Sequence, residues 1–543
     1  MAKRFTTIFF IVLGIIAFLG VGLFLVLILA PGTRIFGMMY VANNARSYSS
    51  GRLNVITELE KQGFSGFSGS VTIEASEIPI YIEYTERYVY EFEYFENYIG
   101  LTKTDIEKPS FTLSKDKLGG LVVKINGFEK FIFENKATVR YFKLYVPMVD
   151  VSGGGSGDTN LTITSVKSNI TFYKTLGDGE TRIPNFNTVS IETNGKIVLN
   201  GPTKAKTYKL KSPNTIKIDK DFKNVVEATH YNLESTKGKI VIEPAISGDL
   251  NLKTKNGSIK LTSCRNLTVN TEHGDIVGFD EDGKIDVAGM VYITSKSGKV
   301  AFGKVQGGAQ SIITTSSGKV TIDKIGEALI TTKRGSVNIT SVGDATINTN
   351  TGNIVIEESL EALKITTIRG KVTLGGEGMT MKNIDVFSHI GRVYVKSAHG
   401  SAIVRTNKSD VSFTNTSCTN ITIASGGKLT ATNLTGTVKI DVEKDADLTF
   451  TTLTNDTTIN GGSKTKNIVI WALQNSADDT AFSLSGKHCI HYEANDNGTG
   501  SYSTLDQGAN ISNRISGSGP ALSVDGKGGN VKLYMKASNK NVA

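Results

Sequence analysis

The sequence is poor in the residues that build small metal or catalytic sites. Its 543 residues include 3 cysteines, 6 histidines and 1 tryptophan. The cysteines, Cys264, Cys418 and Cys489, are odd in number and far apart, so neither a disulfide framework nor a CxxC metal site is predicted. No phosphate-binding glycine loop, nucleophile elbow or HxxxH motif occurs. The sequence therefore predicts no enzyme, no cofactor and no metal site.

Proline is also scarce, with 9 residues, whereas glycine is abundant, with 57. This combination argues against Pro-rich linkers and indicates repeated tight turns. Val, Ile and Thr occur throughout the chain, and these residues favour strands. The length exceeds the ~250–300 residues of a single globular core, so either several domains or an extended repeat is expected. We predict a mostly β chain.

Charge of neither sign is in large excess. The 60 basic and 51 acidic residues give a formal net charge of +9. Such a mild excess favours solubility and weak attraction to anionic surfaces. It gives no specific ground for a nucleic-acid partner, and we predict none.

One long hydrophobic run stands near the start of the sequence. The 23 residues from Ile8 to Ala30 carry no charge. A helix of this length can cross a ~30 Å hydrocarbon core. Lys3 and Arg4 precede the run, so we expect a cytoplasmic N-terminus and an extracytoplasmic remainder. The alternative, a cleaved signal peptide, would have a shorter apolar region of ~7–15 residues. We predict a single-pass protein of the cell membrane, with residues 1–30 as its cytoplasmic tip and anchor.

The hydrophobic period changes after this run. Apolar residues recur at partly helical spacing over residues 31–64, which predicts a juxtamembrane helical segment. Over residues 65–180 apolar and aromatic residues alternate with polar ones, which predicts an aromatic-rich β region. Five glutamates lie among six tyrosines between residues 81 and 98. This acidic Tyr-rich region is either a ligand-binding face or a charged outer strand face beside packed tyrosines, and we favour the second interpretation.

One short pattern recurs over residues 181–500. Segments such as SIITTSSGKVTI, ALITTKRGSVNI and ATINTNTGNIVI align on one glycine. After a first gap of 43 residues the glycines are 17 to 24 residues apart, an interval typical of a solenoid coil. The aligned glycines are Gly195, Gly238, Gly257, Gly274, Gly298, Gly318, Gly335, Gly352, Gly370 and Gly391.

Four further columns accompany the glycine. Positions two and four residues after it, and five residues before it, are almost always apolar, which predicts inward ladders stacked from coil to coil. Three residues before it, every copy from the second onward has Ser or Thr. We expect these hydroxyls to hydrogen-bond to each other and to the turn backbone. The predicted fold is all-β, a β-solenoid of ~17–24-residue coils preceded by the membrane helix and the aromatic-rich β region.

The pattern weakens after Gly391, as terminal repeats do. Residues 501–543 hold a terminal coil and a polar tail. An exposed last coil would present an open edge that invites polymerisation, so we expect the tail, Lys536 to Ala543, to act as a cap.

The repeat T-x-x-G-[KDSN]-[IV]-x-[IVL] resembles that of the adhesin family of bacterial surface β-solenoid domains of unknown function. The match covers roughly residues 188–535. The resemblance implies a surface β-solenoid, acting as an adhesin or a structural stalk, and it supplies no catalytic residues.

Basic residues gather beside the repeat glycines. Neighbouring coils would place their charges ~5 Å apart, where like charges repel unless an anion bridges them. Candidate partners are an anionic cell-wall or host polysaccharide, lipid headgroups or a protein, and the simpler alternative is a turn that is polar for solubility. We name these candidate binding residues the basic ridge: Lys239, Lys299, Lys319, Lys333, Arg334, Arg369, Lys371 and Arg392.

Two other functions stay open. A carbohydrate-active β-helix enzyme, a polysaccharide lyase or hydrolase, would need carboxylates, and Asp275, Asp280, Glu281 and Asp282 near His273 are the densest group. The same residues are equally typical of a turn followed by an acidic loop. Coils that stack end to end would instead form a self-assembling filament, scaffold or homo-oligomer.

One short segment contains metal-ligand atoms. It is the tetrapeptide His488-Cys489-Ile490-His491. On a strand, positions three apart face opposite sides, so the two histidines would not converge on one ion. We expect a buried cysteine at this position.

Overall fold

The computed structural model describes most of the chain, in ranges separated by gaps. These are residues 12–19, 21, 34–35, 38–39, 45–64, 67–85, 87, 89–99, 111–125, 136–147, 159–173, 185–201, 204–222, 230–414, 416–450, 453, 455–472, 481–494, 502–512 and 520–535. The chain divides into two compact units, residues 1–248 (unit 1) and 249–543 (unit 2). The described residues are mostly β, as predicted, and most of their strands pair in parallel.

Residues 12–19 and 21 are helical. They belong to the hydrophobic run predicted to cross a membrane, and the rest of that run lies outside the described residues. In the part of the chain that the structure describes, no helix has both the length and the apolar character that a membrane span requires.

Unit 1 begins with short strands and one short helix, α1 (Val55–Lys61). Its strands are β1 (Arg34–Ile35), β2 (Met38–Met39), β3 (Ala45–Ser49), β4 (Leu53–Asn54), β5 (Val71–Ala75), β6 (Ile80–Thr85), β7 (Glu91–Ile99), β8 (Phe111–Lys115), β9 (Leu121–Ile125), β10 (Lys136–Pro147), β11 (Asn160–Ser165), β12 (Ile170–Phe172), β13 (Asn185–Thr193), β14 (Ile197–Leu199), β15 (Lys204–Ser212), β16 (Ile216–Ile218), β17 (His230–Ser235) and β18 (Ile240–Thr254).

The segment 31–64, predicted to be helical, is helical only at α1 among its described residues. Asn54 caps this helix, and its side chain accepts hydrogen bonds from the amides of Ile56 and Thr57 at 2.9 and 3.2 Å. Two of its own residues, Val55 and Leu59, are buried. Upstream, β3 and β4 pair antiparallel with β7, so the sheet provides the backbone hydrogen bonds that a helix would otherwise make.

Parallel stacking in unit 1 begins with β9 and β10, which pair in parallel with β5 and β6, respectively. One ladder joins β5, β11, β13, β15 and β17, and a second joins β6, β12, β14, β16 and β18. The first strands of both ladders lie inside residues 65–180, the region predicted to precede the solenoid. Beyond β9 and β10 the pairing changes: β8 pairs antiparallel with β9, and β7 with β10.

Unit 2 is built from the same kind of coil, which consists of a strand before the repeat glycine, a turn and a strand after it. Its strands are β19 (Ile259–His273), β20 (Ile276–Val277), β21 (Ile285–Val287), β22 (Val291–Ser297), β23 (Val300–Val305), β24 (Ser311–Thr315), β25 (Val320–Ile325), β26 (Ala328–Thr332), β27 (Val337–Val342), β28 (Ala345–Thr349), β29 (Ile354–Ser359), β30 (Leu363–Thr367), β31 (Val372–Leu374), β32 (Lys382–Ser388), β33 (Val393–Val395), β34 (Ala398–Thr406), β35 (Val411–Thr414), β36 (Thr416–Ser425), β37 (Leu429–Leu434), β38 (Thr437–Val442), β39 (Ala446–Phe450), β40 (Thr457–Gly461), β41 (Asn467–Ala472), β42 (Ala481–Ala494), β43 (Tyr502–Ser512), β44 (Ala521–Asp525) and β45 (Asn530–Met535).

From β22 to β39 each strand pairs in parallel with the strand two places later. This i to i+2 pairing is the arrangement that a solenoid requires, because each coil then lies directly on the coil before it. The three apolar columns predicted from the sequence are buried: Ile330, Val337 and Ile339, for example, are at most 2% exposed. The inward assignment of these columns is confirmed.

The end of unit 2 differs from the prediction. The terminal coil, β44 and β45, pairs with β40 and β41 on one side and with β42 on the other. It is therefore internal. The antiparallel pairing of β42 with β43 follows it, so this hairpin covers the last coil, the role we assigned to the tail Lys536 to Ala543. The tail lies outside the described residues.

Candidate functional site

The repeat turns form the surface on which the predicted basic ridge lies, and their glycines bring neighbouring coils into contact. A Cβ atom at Gly318, Gly335, Gly352 or Gly370 would overlap the carbonyl oxygen of the glycine one coil earlier, well inside the 3.0 Å that real Cβ atoms keep. None of these four has a positive φ. Close approach of two backbones, rather than an unusual conformation, therefore requires glycine here.

The hydroxyl column stabilises the same turns from inside. Thr332 is 2% exposed; its Oγ1 accepts a hydrogen bond from the Gly335 amide at 2.7 Å and donates to the Gly335 carbonyl at 3.0 Å. Thr349 and Thr367 accept the corresponding amide bonds at 3.1 and 3.0 Å. The turn backbone is thus the partner of these hydroxyls, as predicted, and satisfies groups that are costly to bury alone. These contacts do not include the predicted hydrogen bonds between hydroxyls of successive coils.

All eight residues of the basic ridge are exposed. Lys239 lies in unit 1 and the others in unit 2. The register Val300–Val320–Val337–Ile354–Val372–Val393 runs across adjacent strands and places the seven residues of unit 2 in two clusters. The clusters are separated by the coil of Gly352. The first cluster consists of Lys299, Lys319, Lys333 and Arg334, and the second of Arg369, Lys371 and Arg392.

The second cluster is organised by an aromatic ring. The Lys371 ammonium lies 4.4 Å from the centroid of the Tyr394 ring, and a hydrogen bond with the Tyr394 side chain, reinforced by nearby Asp410, raises the pKa of Arg392. The Arg392 guanidinium is 3.6 Å from the Asp410 carboxylate. Tyr394 thus holds two cations side by side. Sequence reasoning did not select it, although its position three residues after the repeat glycine Gly391 predicts an outward side chain.

Three of the four candidate catalytic carboxylates, Asp275, Asp280 and Asp282, are engaged in local contacts. Asp275 accepts a hydrogen bond from the Lys299 amide at 2.7 Å, and Asp280 accepts one from the Lys284 amide. Lys284 forms ion pairs with Asp282 at 3.1 Å and Asp323 at 2.9 Å, and hydrogen bonds to these carboxylates, that of Asp323 first, raise its pKa. These contacts are those of a turn with an ion-paired acidic loop.

Metal-ligating groups do not converge in the described part of the chain, where no set of three His, Cys, Asp or Glu residues could hold an ion. Cys489 is fully buried and His491 is 8% exposed, whereas His488 is exposed, so the predicted buried cysteine is confirmed. Burial raises the pKa of the Cys264 and Cys418 thiols to about 12 and also raises that of Cys489. Thiols of this kind are poor nucleophiles.

The acidic Tyr-rich region of unit 1 is a packed network. Glu93 accepts hydrogen bonds from the hydroxyls of Tyr141 and Tyr145 at 2.9 and 2.8 Å, and Glu83 forms an ion pair with Lys143 at 3.0 Å. Burial and the bond to Glu93 raise the pKa of Tyr141 to about 12. The described contacts fit the interpretation as a charged strand face beside packed tyrosines.

Comparison with the known protein families, with curated proteins and with solved structures finds no match to this chain.

Proposed function

We propose that this protein is a single-pass membrane protein whose extracytoplasmic β-solenoid acts as a cell-surface adhesin or stalk and binds anionic glycopolymers. The observation that carries the proposal is the pair of exposed basic clusters on the turns of unit 2. Coils ~4.8 Å apart bring these charges well within the ~8 Å Debye length at physiological salt, so they attract an anion together. A polyanion with regularly spaced charges fits such a row.

Exposed apolar side chains support membrane anchoring. Within the helical residues 12–19, Phe18 is 79% exposed, Leu19 64% and Ile16 61%. Uncovered apolar surface of this kind is unfavourable in water and requires a partner or a lipid phase. The uncharged 23-residue run that contains them has the length of a membrane span.

Removing residues 1–30 should release the protein from membranes. We expect the full chain to stay in the membrane pellet after an alkaline carbonate wash and the deletion variant to appear in the supernatant. The double substitution Ile16→Asp and Leu19→Asp should act in the same way, because charges at the centre of a membrane helix cost about 2.5–3.5 kcal/mol each. Ile16→Leu with Leu19→Ile is the matched control. Full chain in the supernatant would contradict the anchor.

Replacing Lys319, Lys333 and Lys371 with alanine should weaken retention on heparin and on teichoic acid. We expect affinity at 150 mM NaCl to fall at least about tenfold, and the dependence of binding on salt to become less steep, because fewer cations meet the polymer. Elution from heparin over a NaCl gradient, followed by titration calorimetry, measures both effects.

The control for this variant is a triple alanine substitution of Lys253, Lys364 and Lys439. These lysines are also exposed but lie on strands rather than at the turns, and their removal changes the net charge equally. Retention should change much less. Equal losses in the two triple variants, or no loss in either, would refute the basic ridge as a binding surface.

The two other functions have less support. The carboxylates near His273 are engaged in turn and ion-pair contacts, which argues against a catalytic pair at that loop. The described end of unit 2 is an antiparallel hairpin, whereas end-to-end stacking of coils would use a parallel edge. A binding protein or stalk accounts for the described features better than an enzyme or a filament subunit.

A further inference from the structure

A polar groove crosses several coils of unit 2, beyond the basic ridge. It has a volume of about 560 Å³. The strand register Thr406–Ser425–Val442–Gly461 runs across it, and β44 continues the same row beside β40. Five strands at ~4.8 Å spacing make a groove roughly 19 Å long, which suits an extended ligand.

The floor of the groove is nearly free of side chains. It contains Ser425, Gly426, Gly461 and Gly462. A Cβ atom at Gly426 would overlap the Asn407 carbonyl oxygen, and one at Gly462 would overlap the Glu443 carboxylate. Glycine at 462 therefore leaves room for the Glu443 side chain in the groove.

The polar side chains along the groove are held in place. The Asn460 amide donates to the Asp441 carboxylate at 2.8 Å, and the Ser463 hydroxyl donates to the Glu443 carboxylate at 3.0 Å. Asp441 on β38 is exposed and Glu443, directly after the end of that strand, is partly exposed, whereas Val442 between them is buried. Side chains fixed before binding lose less entropy when a ligand arrives.

Lys527, which also lines the groove, has an unusual backbone. Its φ is +42°, a left-handed conformation that favours glycine and is costly for a side chain like that of lysine. Its amide donates to the Asp525 carboxylate at 2.9 Å, which holds the turn. The Gly529 amide donates to the Gly526 carbonyl at 2.8 Å, and this tight turn between β44 and β45 places Lys527 at the groove.

We propose that this groove binds a neutral, linear oligosaccharide. Its two carboxylates, Asp441 and Glu443, are balanced by two ammonium groups, Lys464 and Lys527, so the lining does not select a polyanion as the basic ridge would. The carboxylate and amide oxygens can accept hydrogen bonds from sugar hydroxyls, and the amide and ammonium groups can donate hydrogen bonds to them.

A peptide strand fits this groove less well than a sugar chain. The strands beneath it are paired on both sides: β36 with β34 and β38, and β40 with β38 and β44. An added peptide strand would need an unpaired sheet edge for its backbone hydrogen bonds. Recognition at this groove must therefore come from side chains.

Titration calorimetry of the full chain in detergent with cellohexaose, chitohexaose and maltohexaose tests the proposal. We expect at least one of them to bind with a Kd below about 1 mM. Asp441→Asn and Lys464→Ala should each weaken that binding about tenfold or more, as expected for loss of a charged hydrogen-bonding group. Lys466→Ala is the matched control, because Lys466 is exposed two residues away and does not line the groove.

Lys527→Gly separates ligand binding from folding. Glycine relieves the left-handed strain at this position, so the melting temperature should stay equal or rise while binding falls. Absence of binding by all three hexasaccharides at 10 mM, or equal losses in Lys464→Ala and Lys466→Ala, would overturn the proposal. Competition by heparin, or binding of an unstructured cationic peptide that Asp441→Asn abolishes, would assign the groove to another ligand class and would also overturn it.

Discussion

Gly335→Ala should strongly destabilise the coils of unit 2. The new Cβ would overlap the carbonyl oxygen of Gly318 in the preceding coil and lie 2.9 Å from Thr332 Oγ1. Neither neighbour can move freely, because the first is backbone in a paired coil and the second bonds the amide and carbonyl of Gly335 itself. The coils must separate or the turn must distort, and both lose hydrogen bonds. We expect a loss of about 3 kcal/mol or more, at the upper end of overpacking effects.

Gly308→Ala is the matched control for this prediction. Gly308 is exposed, and a Cβ atom built there has no heavy atom within 4 Å. Its substitution should leave thermal unfolding, followed by circular dichroism, almost unchanged. Hydrogen exchange should show loss of protection in Gly335→Ala at the neighbouring coils first, because a stacked coil depends mainly on the coils beside it. Equal melting of the two variants would show that coil contact does not require the glycine.

The buried columns could be predicted because they depend on local rules that every coil repeats. Strand alternation places positions two and four after the glycine on one face, and stacking multiplies that signal along the chain. The reason for the glycine itself could not be predicted in the same way. A repeat glycine suggests a left-handed turn, but at Gly318 and Gly335 the cause is the preceding coil's carbonyl, which only the register of stacked coils reveals.

The ends of the stack lay beyond sequence reasoning for a different reason. The chain leaves the coil at β41, forms the β42–β43 hairpin and then returns to place β44 and β45 between that hairpin and the earlier coil. Order along the sequence therefore differs from order in space. The last repeat in the sequence is thus not the last coil in space.

The groove was missed for the same reason. Its lining combines Thr406 and Asn407 with Lys464 and with Lys527, which the returning chain brings beside β40. No short motif contains these residues. Each residue of the basic ridge, by contrast, lies within two residues of a repeat glycine, so the ridge could be predicted from the sequence. Tyr394, which positions two of its cations, could not, because its column has no shared residue type.

Ile330→Asp should cause the largest local loss of stability. Ile330 is fully buried, and its partners in the neighbouring strands are Ile313 and Ile347, so the carboxylate would face stacked apolar side chains. It would have to stay charged without a partner or take up a proton at neutral pH, and either outcome costs several kcal/mol. Together with the lost packing of the isoleucine we expect a loss of more than about 4 kcal/mol.

Thr331→Asp is the matched control for Ile330→Asp, because it introduces the same charge one residue later, on the outward side of β26, where Thr331 is partly exposed. Thermal unfolding of this control should change by less than about 1 kcal/mol. In Ile330→Asp, limited proteolysis should cut first in the turns of the adjoining coils, because unfolding one coil exposes the edges of its neighbours. If the two variants melted alike and resisted protease equally, Ile330 would not face the core, and the inward ladder that defines each coil would have to be reassigned.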